Sequence, residues 1–98
     1  MDRSVPYEIR YSNEAIDQLK KFRVFDRTAI LDQIEQVLGV NPTTESKARI
    51  KRLREPAPTQ YRLRVGDFRV FYDVDGPAVL IIQILSKQDS NDFLGGSS

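Results

Sequence analysis

The sequence predicts an α+β fold, one sheet with its helices on a single face, and three observations lead there. Apolar residues recur at helical spacing twice before Gly39, Gly66-Asp67 joins two alternating runs as a hairpin would, and VLIIQILS from Val79 to Ser86 is apolar on both parities. The expected order is an N-terminal strand, a helical hairpin, then a three-strand antiparallel meander. A chain of 98 residues with 40% hydrophobic content supplies one core, so residues 1–94 are read as a single domain and Gly95–Ser98 as a disordered tail.

Val5–Tyr11 alternates Tyr7, Ile9 and Tyr11 with Glu8 and Arg10, the pattern of a half-buried strand. Ser12 or Asn13 offers an N-cap to a helix marked by Ile16, Leu19 and Phe22. Asp26 is placed to cap a second helix, in which Ile30, Ile34, Val37 and Leu38 follow i, i+4, i+7, i+8 until Gly39 and Pro42 stop it. The two helices are expected to turn near Phe25.

The basic connector KARIKRLREPAP ends at Pro56 and Pro58, and its Lys47–Leu53 stretch leaves strand, helical turn and coil all open. Gln60–Val65 and Phe68–Val74 read as hairpin strands, and Asp75, Gly76 and Pro77 as the next turn. Val79–Ser86 reads as a central strand covered on both faces. Asp89 or Ser90 then caps a short turn through Phe93 and Leu94.

Composition narrows the chemistry. With no cysteine and no histidine, the chain has no thiolate nucleophile, no Cys-based metal site and no imidazole base. Neither metal nor cofactor is expected, and any catalysis falls to Lys, Arg, Tyr or carboxylates. The start MDRSVPYEIRYS lacks the apolar core of a signal peptide, and no run approaches the ~20 residues that span a bilayer, so a soluble intracellular protein with no membrane partner is expected.

The net charge of +1 is unevenly spread. Between Lys47 and Tyr72, eight basic residues (Lys47, Arg49, Lys51, Arg52, Arg54, Arg62, Arg64, Arg69) stand against Glu55 and Asp67, which makes this segment +6 and the remainder −5. Such asymmetry suits a polyanion-facing surface, or else ordinary solvated charge.

A two-residue loop that begins with Gly favours a type II′ turn, and this sets Val65 opposite Phe68, Arg64 opposite Arg69, Leu63 opposite Val70 and Arg62 opposite Phe71. Tyr61, Leu63, Val65, Phe68, Val70 and Tyr72 then share the core face, which assigns both tyrosines to packing. Arg62, Arg64, Arg69, Phe71 and Asp73 share the other. Opposed arginines repel, Asp73 is too far along the strand to relieve both, and guanidinium groups suit phosphate, so an external anion is expected. Phe71 beside Arg62 offers a stacking surface for a base.

On YEIRYS, SNEAIDQLKKF, KRLREP, YRLRVGDFRVFYDVDG and VLIIQILSK, the chain resembles the RelE/ParE superfamily of toxins from bacterial type II toxin–antitoxin modules. The resemblance implies the family's microbial-RNase-like fold, a cytoplasmic location and a cognate antitoxin in a hetero-oligomeric complex. It also implies ribosome-dependent endonucleolytic cleavage of mRNA, hence translation inhibition and growth arrest. Arg62 and Arg64 would hold phosphates and help activate the 2′-hydroxyl, Arg69 would stabilise charge on the scissile phosphate, and Lys87 would be general acid or clamp. The basic connector residues Lys47, Arg49, Lys51, Arg52 and Arg54, with Phe71, are the expected RNA contacts. Gln88, Phe93 and Leu94 depart from the basic pair and following tyrosine or histidine of the nuclease members. A ParE-like inhibitor of DNA gyrase and a non-toxic antitoxin-binding remnant are the alternatives.

Overall fold

The structure, a computed structural model, describes residues 7–95. It runs β1 (Glu8–Tyr11), α1 (Asn13–Lys21), α2 (Val24–Gln33) continuing into a π-helical turn (Ile34–Leu38), β2 (Ile50–Arg52), β3 (Tyr61–Val65), β4 (Phe68–Asp75), β5 (Ala78–Ser86) and α3 (Lys87–Phe93). The sheet order is β1-β5-β4-β3-β2, with β1 parallel to β5 and all other pairs antiparallel. The α+β class is as expected, but the meander has four strands because the connector supplies β2. Val5 and Pro6 of the expected first strand, and the expected tail beyond Gly95, lie outside the described residues.

Ser12 caps α1 by accepting the Ala15 N–H at 3.0 Å. The helix presents Ala15, Leu19 and Phe22 to the sheet and leaves Ile16 39% exposed, a rotation from the expected stripe. Small Ala15 permits close approach, and the rotation brings polar groups to the edge of β5 where β1 has stopped. There Ser12 Oγ donates to the Ile82 carbonyl at 2.7 Å, and Gln18 Oε1 accepts the Ile84 N–H at 2.6 Å while its amide meets Gln83. Backbone groups that would be orphaned are thereby paired.

The helices turn at Phe22–Arg23, earlier than expected. Arg27 accounts for this: its Nε donates to the Leu19 carbonyl and its Nη2 to the Phe22 carbonyl, both at 3.1 Å, satisfying the open end of α1. Helix α2 consequently starts at Val24 with Arg23 as N-cap and no side-chain cap bond. Asp26 instead lies inside the first turn, where its charge complements the helix dipole.

Ile30, Ile34 and Leu38 close over Ile50, Leu63, Val70, Tyr72, Val79, Ile81 and Ile84 to make the core. Tyr61 and Tyr72 stack within it at 5.4 Å, and the Tyr72 hydroxyl donates to the Pro42 carbonyl at 2.6 Å. Both serve packing, as their parity required. The centre of the sheet is β4, while β5 is covered fully on one side only: Val79, Ile81 and Ile84 are buried, and Leu80 and Leu85 are half-exposed. A bulge explains the change of parity, since Tyr72 pairs with Ile81 but Phe71 with Gln83, leaving Ile82 extra.

Candidate functional site

The β3–β4 hairpin carries the site. Its register is the one predicted, Arg62 with Phe71 and Arg64 with Arg69, and Gly66 supplies the positive φ of 55° at the first loop position. Asp67 keeps a negative φ, as a type II′ turn requires. Gln60 N–H donates to Asp73 Oδ1 at 2.7 Å and Val74 N–H to Gln60 Oε1 at 2.8 Å. Asp73 is thus engaged at the far end of the hairpin, away from the arginines.

The three arginines occupy different environments. Arg64 is exposed. Arg62 is half-buried, and its Nε is buried without a hydrogen-bond partner. Arg69 is only 7% exposed, and its Nη1 donates to the carbonyls of Gly66 and Phe68, both at 2.9 Å. Burial, then the Arg64 charge, lowers the Arg62 pKa. Burial, then Arg62 and Arg64, lowers that of Arg69, and Asp67 opposes the shift. Guanidinium groups remain protonated nonetheless, so their chemistry is electrostatic. Among the described residues, no carboxylate forms an ion pair with any of the three.

The cation set is extended by β2, which pairs Lys51 with Arg62, while the Arg64 N–H donates to the Arg49 carbonyl at 2.8 Å. Side chains directly opposite in a ladder share a face. Lys51 therefore joins the arginine side, while Arg49 lies in the bend before β2 with its N–H bonded to Ser46 Oγ at 3.1 Å. The placement of Lys51 is not legible in the sequence, because a three-residue strand with one buried apolar position, Ile50, gives little periodicity to read.

The other expected contacts are set apart from this group. Arg52 pairs with Tyr61, whose parity is the core side; its Nη1 donates to the Tyr61 hydroxyl at 2.9 Å and its guanidinium lies 5.0 Å from the ring centroid. Lys47 and Arg54 are exposed outside β2, and no strand pairing fixes them beside the hairpin arginines. Phe71 is fully buried, with Phe93 of α3 tilted against it at 4.9 Å, so it is no stacking platform in this conformation. The departure at Phe93 thus has a packing role.

Lys87 opens α3 beside the hairpin tip. Its N–H donates to the Asp67 carbonyl at 2.7 Å, and Ser86 Oγ caps the helix through the Asp89 N–H at 3.1 Å. Asp67, Ser86, Lys87, Gln88 and Asn91 line an open hollow of about 430 Å³ there. The Lys87 side chain is exposed. No described helix is long and apolar enough to cross a membrane.

A parallel edge strand, a helical pair and a hairpin-led sheet with a cationic face make up the frame of this site. The family model for the ParE toxin of type II toxin–antitoxin systems, parDE, matches residues 9–90, and the chain belongs to that family. Solved structures share the fold. The archaeal RelE–RelB complex from Pyrococcus horikoshii matches with a TM-score of 0.69 and 20% identity over 84% of this chain and 96% of that one. The toxin–antitoxin complex RelBE2 from Mycobacterium tuberculosis matches with a TM-score of 0.69 and 24% identity over 84% and 99%. A substituted Escherichia coli toxin RelE in the free state matches with a TM-score of 0.68 and 19% identity over 92% and 95%. No curated protein sequence matches the chain.

Proposed function

We propose that this toxin inhibits translation by cleaving mRNA on the ribosome, without a metal. The observation that carries the reading is the group of cations around Arg62, Arg64 and Arg69 with no ion-paired carboxylate among the described residues. Opposed like charges destabilise a ladder, and a phosphate relieves them through charge-assisted hydrogen bonds.

In the reaction, the 2′-hydroxyl of a ribose gives its proton to solvent water, its oxygen attacks the adjacent phosphorus to form a 2′,3′-cyclic phosphate, and the bond to the 5′-oxygen breaks as that oxygen takes up a proton. Arg64 and Arg62 hold the phosphate and stabilise the charge that develops on it. Arg69 acts through the turn: its bonds to Gly66 and Phe68 fix the hairpin that carries them, while its own charge adds to the local field. Lys87, exposed at the hairpin tip, is the cation able to clamp a neighbouring phosphate or protonate the leaving oxygen.

A cognate antitoxin is the expected partner, in keeping with the family and with the complexes that share the fold. An acidic segment laid over the arginine face would neutralise it. The second reading is binding to DNA gyrase. The match to the ParE model favours it, as does the burial of Phe71, which removes a base-stacking surface.

Purified toxin added in parallel to a reconstituted translation reaction and to a gyrase supercoiling reaction separates the two. Loss of full-length mRNA with supercoiling intact supports the nuclease; blocked supercoiling with intact mRNA overturns it.

A further inference from the structure

The two edges of the sheet differ in what they could pair with. Strand β2 carries Lys51 and Arg52, with Arg49 just before it, so a second copy of the same edge would meet like charge. Strand β1 lies at the other edge, in the segment YEIRY from Tyr7 to Tyr11. It has neither the lysine nor the proline that blunts an edge against pairing. Beyond its end, Ser12 Oγ and Gln18 Oε1 take up the Ile82 carbonyl and the Ile84 N–H of β5.

The parity of β1 sets which of its backbone groups are free. The Glu8 N–H donates to the Pro77 carbonyl at 2.8 Å and the Ser12 N–H to the Ile81 carbonyl at 2.9 Å, so the even-numbered residues aim their peptide groups at β5. Peptide groups alternate in direction along a strand, and those of Tyr7, Ile9 and Tyr11 point away from the sheet. Among the described residues, no loop or side chain bonds the N–H or carbonyl of Ile9 or Tyr11.

The same five residues are complementary to themselves about Ile9. When two copies of β1 run antiparallel around a two-fold axis at Ile9, Ile9 meets Ile9, Glu8 meets Arg10 and Tyr7 meets Tyr11. Opposite charges then face each other on one side of the sheet, and aromatic residues on the other. The Ile9 and tyrosine rows become hydrogen-bonded pairs, which use the groups that β1 leaves free. An axis at Glu8 or Arg10 would oppose groups already turned toward β5. Glu8 and Arg10 are exposed and pair within the strand at 3.2 Å, so the two copies would join their ion pairs into one group of alternating charge.

We propose that the protein forms a two-fold dimer through β1, with the sheet continuing from one copy into the other. Tyr7, Ile9 and Tyr11 pack on the core side, so the arginine faces of both copies lie together on the opposite side. The β3–β4 hairpin is set inward from this edge by β5, and its arginine face stays open. A contact through one short strand is smaller than the roughly 1,200 Å² of a standard interface, so the dimer assembles with rising concentration.

Sedimentation of the full chain between about 5 and 500 µM tests the proposal. The mass should rise from that of one chain toward that of two. Glu8→Arg and Arg10→Glu each set like charges in both rows, and each should weaken association about tenfold. Mixed in equal amounts, the two variants bring opposite charges back to both rows and should associate again. Both positions lie outside the core, and circular dichroism checks that each variant folds. A single-chain mass at every concentration overturns the proposal and leaves this edge to a strand of another protein. A dimer that both variants leave intact, or that mixing does not restore, lies elsewhere and overturns it as well.

Discussion

Phe93 lies tilted against Phe71 with ring centroids 4.9 Å apart, and this contact holds α3 against the arginine side of the sheet. A half-buried aromatic in such a pair contributes area burial plus a geometric term, so Phe93→Ala should cost about 1–2 kcal/mol. Urea unfolding measures the loss. Hydrogen exchange of the α3 amides should quicken by more than that of the β4 amides, because β4 is held between β3 and β5 at the centre of the sheet.

Arg64 faces Arg69 across the ladder, and the pair is a built-in liability. Arg64→Glu replaces repulsion with attraction at an exposed position. It should stabilise the fold by about 0.5 kcal/mol, or about 2–4 °C in Tm, while abolishing toxicity and RNA binding. Differential scanning calorimetry beside a growth assay reads both; unchanged toxicity would remove Arg64 from the site.

Two glycines are bound to their positions for different reasons. A Cβ on Gly39 would lie 2.5 Å from the Glu35 carbonyl oxygen, which the π-helical turn brings close. A Cβ on Gly66 meets nothing, but the positive φ of 55° disfavours any L-residue there. Gly66→Ala should therefore cost about 1–2 kcal/mol through backbone strain. Gly39→Ala should cost at least as much, since a backbone oxygen must move. Thermal unfolding of the two variants provides the comparison.

Alkaline pH should destabilise the fold through Tyr11, whose pKa is pushed up to about 12 by burial and by the Glu35 charge; burial and Tyr61 raise that of Tyr72 in the same direction. The folded state keeps these protons where the unfolded chain, with a tyrosine pKa of about 10, has lost them. Their stabilisation is complete below about pH 10 and declines as pH rises toward 12. Tyr11→Phe should flatten the dependence of the urea midpoint on pH over that window. An unaltered slope would contradict the assignment.

The hairpin was legible because two constraints agree on it: the turn type fixes register, and register sorts side chains with a period of two. Arg62, Arg64 and Arg69 are therefore gathered on one face by the sequence alone. Their separate environments were not legible, since the burial of Arg69 depends on its reach back to the turn carbonyls. Phe71 shows the same limit. Its parity was right, but its exposure is set by Phe93, which arrives from an element whose packing no local pattern encodes. The turn of the helix pair was misplaced because Asp26 is a better cap than Arg23 by local chemistry. The tertiary bonds of Arg27 to the end of α1 outweigh that preference.

Mapping of 5′ ends on a reporter mRNA, with and without ribosomes, for the unaltered protein and for Arg64→Ala, bears most directly on the central claim that the cationic face cuts translating mRNA. The account predicts discrete ends that appear only with ribosomes and fall at least tenfold in the variant. Intact mRNA with the unaltered protein under active translation would contradict it, and so would equal cleavage by Arg64→Ala.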